Sequence, residues 1–249
     1  MKKRKIISVF TCLFVFATST LFAQSNNERG LFEALKMNDI RSISEYVQEG
    51  VNINAKNSKG NTPLHYAISD GNEKLVNHLI ELGANVNEMN ANHNTPLTIA
   101  IIRDRNEIVD ILLRAGANPN LGNSDKMTAT HVAALNGNYD AMTSLVANQA
   151  DINIMSETGV TPLMLAAARG HYDVVNLLLR NDAKDLVNAN GESALKWAKQ
   201  NGHNSVAKVL ASKPTITALN LTDGKYSDLI LILPNIAEGL FFLLNYNVR

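Results

Sequence analysis

Cysteine is nearly missing from this chain: Cys12 is the only one among 249 residues. Without a second thiol there is no intrachain disulfide and no thiolate metal site, so the fold must hold by packing alone. Aromatic residues are scarce, at 6% with one tryptophan, which leaves Leu, Ile, Val and Ala to build the core. An excess of one charge is also lacking, because 23 Lys and Arg face 23 Asp and Glu. That balance hides an asymmetry. Lys2, Lys3, Arg4 and Lys5 crowd the first five positions and residues 1–23 hold no acid, so the remainder has 19 basic and 23 acidic residues, a net of −4. A mildly acidic chain offers no electrostatic footprint for nucleic acid. No His-Glu-x-x-His, glycine-rich phosphate loop or nucleophile elbow occurs, so no catalytic, cofactor or metal residue is assigned. What is present is 45% apolar and 18% charged, which excludes a disordered tail.

The basic start is followed by an apolar stretch, Ile6 to Phe22, broken only by Ser, Thr and Cys. Ala23 ends it, and Gln24-Ser25-Asn26-Asn27 follows. A positive start, an apolar middle and a small residue before an abrupt polar switch mark a signal peptide over residues 1–23. An uncleaved anchor is the competing reading, although about 17 apolar residues is short for a span. Cys12 lacks the small residues that should precede a lipidated cysteine, so the expected mature chain is cysteine-free.

The rest is organised by a period. Gly60-Asn61-Thr62-Pro63-Leu64-His65 returns as His93-Asn94-Thr95-Pro96-Leu97-Thr98, then as Lys126-Met127-Thr128-Ala129-Thr130-His131, then as Gly159-Val160-Thr161-Pro162-Leu163-Met164. Thr62, Thr95, Thr128 and Thr161 lie 33 apart, and Ser193 follows 32 later. Each copy predicts two helices. Thr before Pro supplies an N-cap hydroxyl and a first helical position that needs no amide hydrogen. Leu64, Ala67 and Ile68 share a face, and Gly71 closes that helix, as Gly137, Gly170 and Gly202 close theirs. Leu75, Val76, Leu79 and Ile80 follow at helical spacing, and Gly83-Ala84-Asn85 ends the second helix. Neither helix buries its apolar face alone, so units must stack. Asp104, Gln149 and Asp182 stand where other copies have glycine.

These registered motifs resemble the ankyrin repeat family over about three quarters of the chain. The resemblance implies an all-α solenoid of about six helix-turn-helix units with short β-hairpin fingers. The units fall near 28–60, 61–93, 94–126, 127–159, 160–192 and 193–213, within a repeat domain at 24–213. The polar first and last units read as caps. Residues 214–249 leave the pattern and carry two apolar runs, Leu229–Leu233 and Leu240–Leu244, separated by Pro234. Pro234, Asn235, Glu238 and Gly239 prevent a membrane span. Three readings of this tail stay open: a cover for the last unit, a peripheral membrane or partner contact, and an unpatterned extension.

The six histidines are spread along the chain, not clustered. His65 and His131 take the motif position, where an imidazole buttresses a helix start. His171 and His203 follow turn glycines, and His93 falls on a finger. Asn52, Asn54, Asn85, Asn87, Asn118, Asn120, Asp151 and Asn153 read as turn formers. Positions that vary between copies without disturbing capping or packing are free to carry specificity. They are Ser69, Asp70, Ile102, Arg103, Leu135, Asn136 and Arg169 at the ends of first helices, with His93 and Lys126 on fingers. The resemblance places such positions on the concave side, and implies a non-catalytic scaffold for a protein partner of unknown identity. With the lysine-rich leader it points to an exported bacterial protein, periplasmic or secreted. Some periplasmic relatives are associated with protection of catalase, which makes such an enzyme one expected partner. A host-directed effector and an accessory subunit of an enzyme completed by the tail are the alternatives.

Overall fold

The computed structural model describes residues 26–212. The expected signal segment 1–23 and tail 214–249 lie outside the described residues. Among the described residues twelve helices follow one another and there is no β-strand. α1 covers residues 26–36, and α2 is Ile40–Gln48. Then come α3 (Pro63–Asp70), α4 (Glu73–Glu81), α5 (Pro96–Ile102), α6 (Asn106–Arg114), α7 (Ala129–Asn136) and α8 (Tyr139–Ala147). α9 (Pro162–Arg169), α10 (Tyr172–Arg180), α11 (Ala194–Gln200) and α12 (Asn204–Ala211) complete the array. The chain is an all-α repeat solenoid.

The helices form two layers. α3, α5, α7, α9 and α11 stack in one, and α4, α6, α8, α10 and α12 stack in the other. Each first helix also packs on the second helix that follows it. The reason is visible in the sequence: Leu64, Ala67 and Ile68 of α3 and Leu75, Val76 and Leu79 of α4 are all buried, as are their counterparts in α5 to α10. One continuous apolar core results, made almost wholly of Leu, Ile, Val, Ala and Met. Small residues in the first helices, such as Ala133, Ala134, Ala166 and Ala167, are fully buried and leave room for neighbouring helices to approach.

Local capping sets each start. Thr62, Thr95 and Thr161 accept the backbone amide three residues on, at 3.2 to 3.4 Å, with proline next in line. Ser193 does the same for Lys196 at 3.3 Å in the last pair. The short fingers are tight turns. In the first of them Asn57 N–H donates to the Asn61 carbonyl at 3.0 Å, and equivalent bonds close the turns at Asn90, Asn123, Ser156 and Asn188. The Asn57 side chain accepts from the amides of Lys59 and Asn61, so it satisfies donors that a partner strand would otherwise take.

Polar bonds tie each unit to the next. Asn52, Asn85, Asn118 and Asp151 accept the amide two residues on, the turn-forming role expected of them. Asn54, Asn87, Asn120 and Asn153 do something else: each accepts a backbone amide 31 residues on, from Asn85, Asn118, Asp151 and Lys184, at 2.7 to 2.9 Å. The two bond types alternate, giving an unbroken asparagine spine down the loops.

A second link joins the turn between helices to the cap of the next unit. Where the turn residue is polar, the cap is asparagine: Asn72 donates to Asn38 at 2.9 Å and Asn138 to Asp104 at 2.8 Å. Where it is glycine, the cap is large. A Cβ on Gly71 would lie 2.8 Å from the Arg105 guanidinium, and one on Gly137 would lie 2.5 Å from the His171 ring. The bare glycine therefore admits a flat side chain that a methyl group would block.

Candidate protein-binding surface

The first helices expose the face opposite their core residues. On α3 that face holds Tyr66, Ser69 and Asp70, related by i, i+3 and i+4 spacing. Because α3, α5, α7 and α9 stack side by side, equivalent residues form rows. One row is Ser69, Ile102, Leu135 and Ala168, and the next is Asp70, Arg103, Asn136 and Arg169. Ile102 is 47% exposed, unusual for an isoleucine on a surface helix. Leu135 is half-buried, and Asp70, Arg103, Asn136 and Arg169 are exposed. Ser69 is exposed too, but its hydroxyl donates back to the His65 carbonyl at 2.9 Å, so it is partly committed within its helix.

A third row was missed by reading the sequence for variable positions. Tyr66, Ile99, Val132, Leu165 and Trp197 are half-buried apolar side chains packed against the core, one on each first helix from α3 to α11. They alternate with no polar residue. The signal was available at a fixed place, one residue after the motif histidine, but reads as ordinary packing until the rows are seen together. Trp197 Nε1 donates to Glu192 Oε2 at 3.1 Å, which fixes the indole at the end of the row.

Two candidate residues lie on the fingers. His93 and Lys126 are exposed and hold left-handed backbone, with φ of 56° and 58°. Gly60, Gly159 and Gly191 take the equivalent turns. Lys126 Nζ lies 3.7 Å from Glu157 Oε2 of the following finger, and Lys56 Nζ lies 2.7 Å from Glu88 Oε1. The Lys56 ammonium beside Glu88 holds that carboxyl below its ordinary range.

The motif histidines face inward. His65 and His131 are buried, with Nδ1 near the hydroxyls of Thr62 and Thr128 at 2.8 and 2.9 Å. The amides of Thr62 and Thr128 also donate to those Nδ1 atoms. Nδ1 is thus an acceptor, which leaves the ring proton on Nε2, where it donates to Asn94 O and Val160 O of the next unit. Burial pushes both imidazoles below their ordinary value, keeping them neutral. His171 and His203 stand at the helix starts, as N-caps of α10 and α12, but neither caps its own helix with its side chain. Each sends Nε2 back to a carbonyl of the preceding unit, Leu135 O and Ala168 O, at 3.1 Å. Among the described residues no three His, Cys, Asp or Glu side chains gather as metal ligands. These groups are structural.

Two stretches, residues 31–123 and 130–223, match the family model described as ankyrin repeats in three copies. The chain belongs to the ankyrin repeat family. No curated protein matches it. Ankyrin repeats are protein–protein interaction scaffolds, and the partner class of this ankyrin array is accordingly protein. Among the described residues no helix is long and apolar enough to cross a membrane.

Proposed function

We propose that this ankyrin array is an exported, non-catalytic scaffold that holds a protein across its finger face. The observation that carries the reading is the apolar row from Tyr66 to Trp197, continued by exposed Ile102 and flanked by Asp70, Arg103 and Arg169. An apolar centre with a charged rim is the usual anatomy of a protein interface. His93 and Lys126 add support, because both keep side chains where glycine would relax the backbone. Strain of that kind persists where a side chain is needed.

Affinity purification of the full chain from its native cells identifies the partner. A periplasmic enzyme such as catalase supports the protective role, and a host protein supports the effector role. The surface itself is tested by a combined Ile102→Ser, Arg103→Glu and Leu135→Ser variant with native helicity. Loss of the partner by this variant is expected, and unchanged affinity places the contact elsewhere. Export is tested separately by intact mass: natively expressed protein should lack residues 1–23, and a full-length cytoplasmic species overturns it.

A further inference from the structure

The outer layer of second helices carries a surface that the finger-face reading does not use. α8 and α10 each open on an exposed tyrosine, Tyr139 at 44% and Tyr172 at 43%. A shallow depression beside them is lined by Tyr139, Tyr172, Asp173, Asn176, Leu177 and Arg180. On α10 the last five recur at i, i+1, i+4, i+5 and i+8, one stripe turned away from buried Val174, Val175, Leu178 and Leu179. Asp173 and Arg180 are exposed at its two ends. Seven residues of helix separate them by about 10 Å, too far to pair with each other. Among the described residues neither has an ion-pair partner.

We propose that this face binds a second copy of the chain, with α10 lying antiparallel on α10 of the copy. A two-fold interface uses one patch twice and must be self-complementary. A stripe with an acid at one end and a base at the other meets that demand only when antiparallel. Asp173 then faces Arg180 of the copy, and Arg180 faces its Asp173. Asn176 and Leu177 fall at the dyad, and each Tyr172 lies near the arginine that crosses it, an arrangement that favours cation–π contact.

Neighbouring helices fit the same dyad. At the two equivalent positions α6 has Glu107 and Arg114, and α4 has Lys74 and Glu81, all exposed. The helix dipole explains an acid-first order in α6 and α10, but it disfavours Lys74 before Glu81 in α4. Self-complementarity explains all three, since each helix carries opposite charges at the positions an antiparallel copy would oppose. α8 supplies Tyr139 in place of a second ion pair. The exposed tyrosines and arginine of this patch are side chains that protein interfaces favour.

The test uses the full chain and charge reversal, with mass read by sedimentation or light scattering. Wild type is expected to reach twice the chain mass as concentration rises, and to dissociate when salt is added. Asp173→Arg and Arg180→Asp are each expected to weaken self-association by on the order of tenfold, because like charges then meet twice across the dyad. Mixing the two variants should restore the dimer, since every cross-contact in the mixed pair is again Arg against Asp. The double variant carrying both reversals should also associate. Because the single variants report on each other in the mixture, recovery there excludes misfolding as the cause of their loss. A wild type that stays at single mass up to its solubility limit overturns the proposal. So does association undiminished by either reversal, or a mixture that fails to recover. Finger-face variants are expected to leave this association unchanged, which separates its failure from that of the scaffold reading.

Discussion

Among the described residues, six other than glycine hold a positive φ: Asn38, His93, Asp104, Lys126, Gln149 and Asp182. Side chains in that region crowd their own backbone, at a cost of about 1 kcal/mol. Gln149 and Asp182 replace the glycine that ends the second helix in the units of Gly50, Gly83 and Gly116. Both are exposed. Gln149→Gly and Asp182→Gly are each expected to raise stability by about 0.5–1 kcal/mol, read from urea unfolding. Asp104→Gly should gain less or lose, because it removes the carboxylate that accepts from Asn138 at 2.8 Å. The buried imidazoles give a pH prediction of definite sign. The folded-state values of His65 and His131 lie below the ordinary 6.5, chiefly through burial. Below that pH the unfolded chain binds more protons than the folded one, so stability falls as acid is added. Protonation would also set a new N–H on Nδ1 against the Thr62 and Thr128 amides that now donate to it. The melting temperature should therefore drop between pH 7.5 and pH 5, and a His65→Gln, His131→Gln chain should show a flatter profile, though lower overall. Equal slopes for the two proteins would refute the assignment.

Helices and loops are where the sequence was most and least informative. Thr62-Pro63, Thr95-Pro96 and Thr161-Pro162 mark helix starts, and the 33-residue period carries every other element into register. The asparagine spine tests what that period leaves out. Asn87 Oδ1 accepts the Asn118 amide at 2.7 Å, a bond between units. Asn87→Ala should cost about 1 kcal/mol, the net value of one hydrogen bond, and hydrogen exchange at the Asn118 amide should quicken. Half of the spine was legible, because an asparagine two residues before a turn amide is a local pattern. The other half was not, because an acceptor 31 residues from its donor depends on the stacking distance between units. The same limit hid His171 and His203, whose imidazoles act on the preceding unit across a bare glycine and not on their own helices. The apolar row from Tyr66 to Trp197 was hidden differently. Each member resembles a core residue, and only the side-by-side stacking of first helices turns five separate half-buried side chains into a surface.

At the scale of the whole array, the strong contacts among α3 to α12 all join a helix to its own pair or to an adjacent pair. Stability then approximates a sum of unit terms and nearest-neighbour interface terms. A change in the middle is felt on two sides, and a change in α1 is felt on one. Leu145 of α8 and Leu35 of α1 are a suitable pair, at 0% and 2% exposure. Each truncation to alanine removes comparable buried apolar volume, worth about 2–5 kcal/mol. Leu145→Ala weakens α8 against both α6 and α10, so exchange protection should fall through α5–α12 in both directions. Leu35→Ala should lower protection in α1–α4 and leave α9–α12 near the wild-type level. The two patterns follow from one-dimensional coupling. If Leu35→Ala instead reduced protection evenly from α1 to α12, the array would unfold as one cooperative block and the nearest-neighbour account would fail.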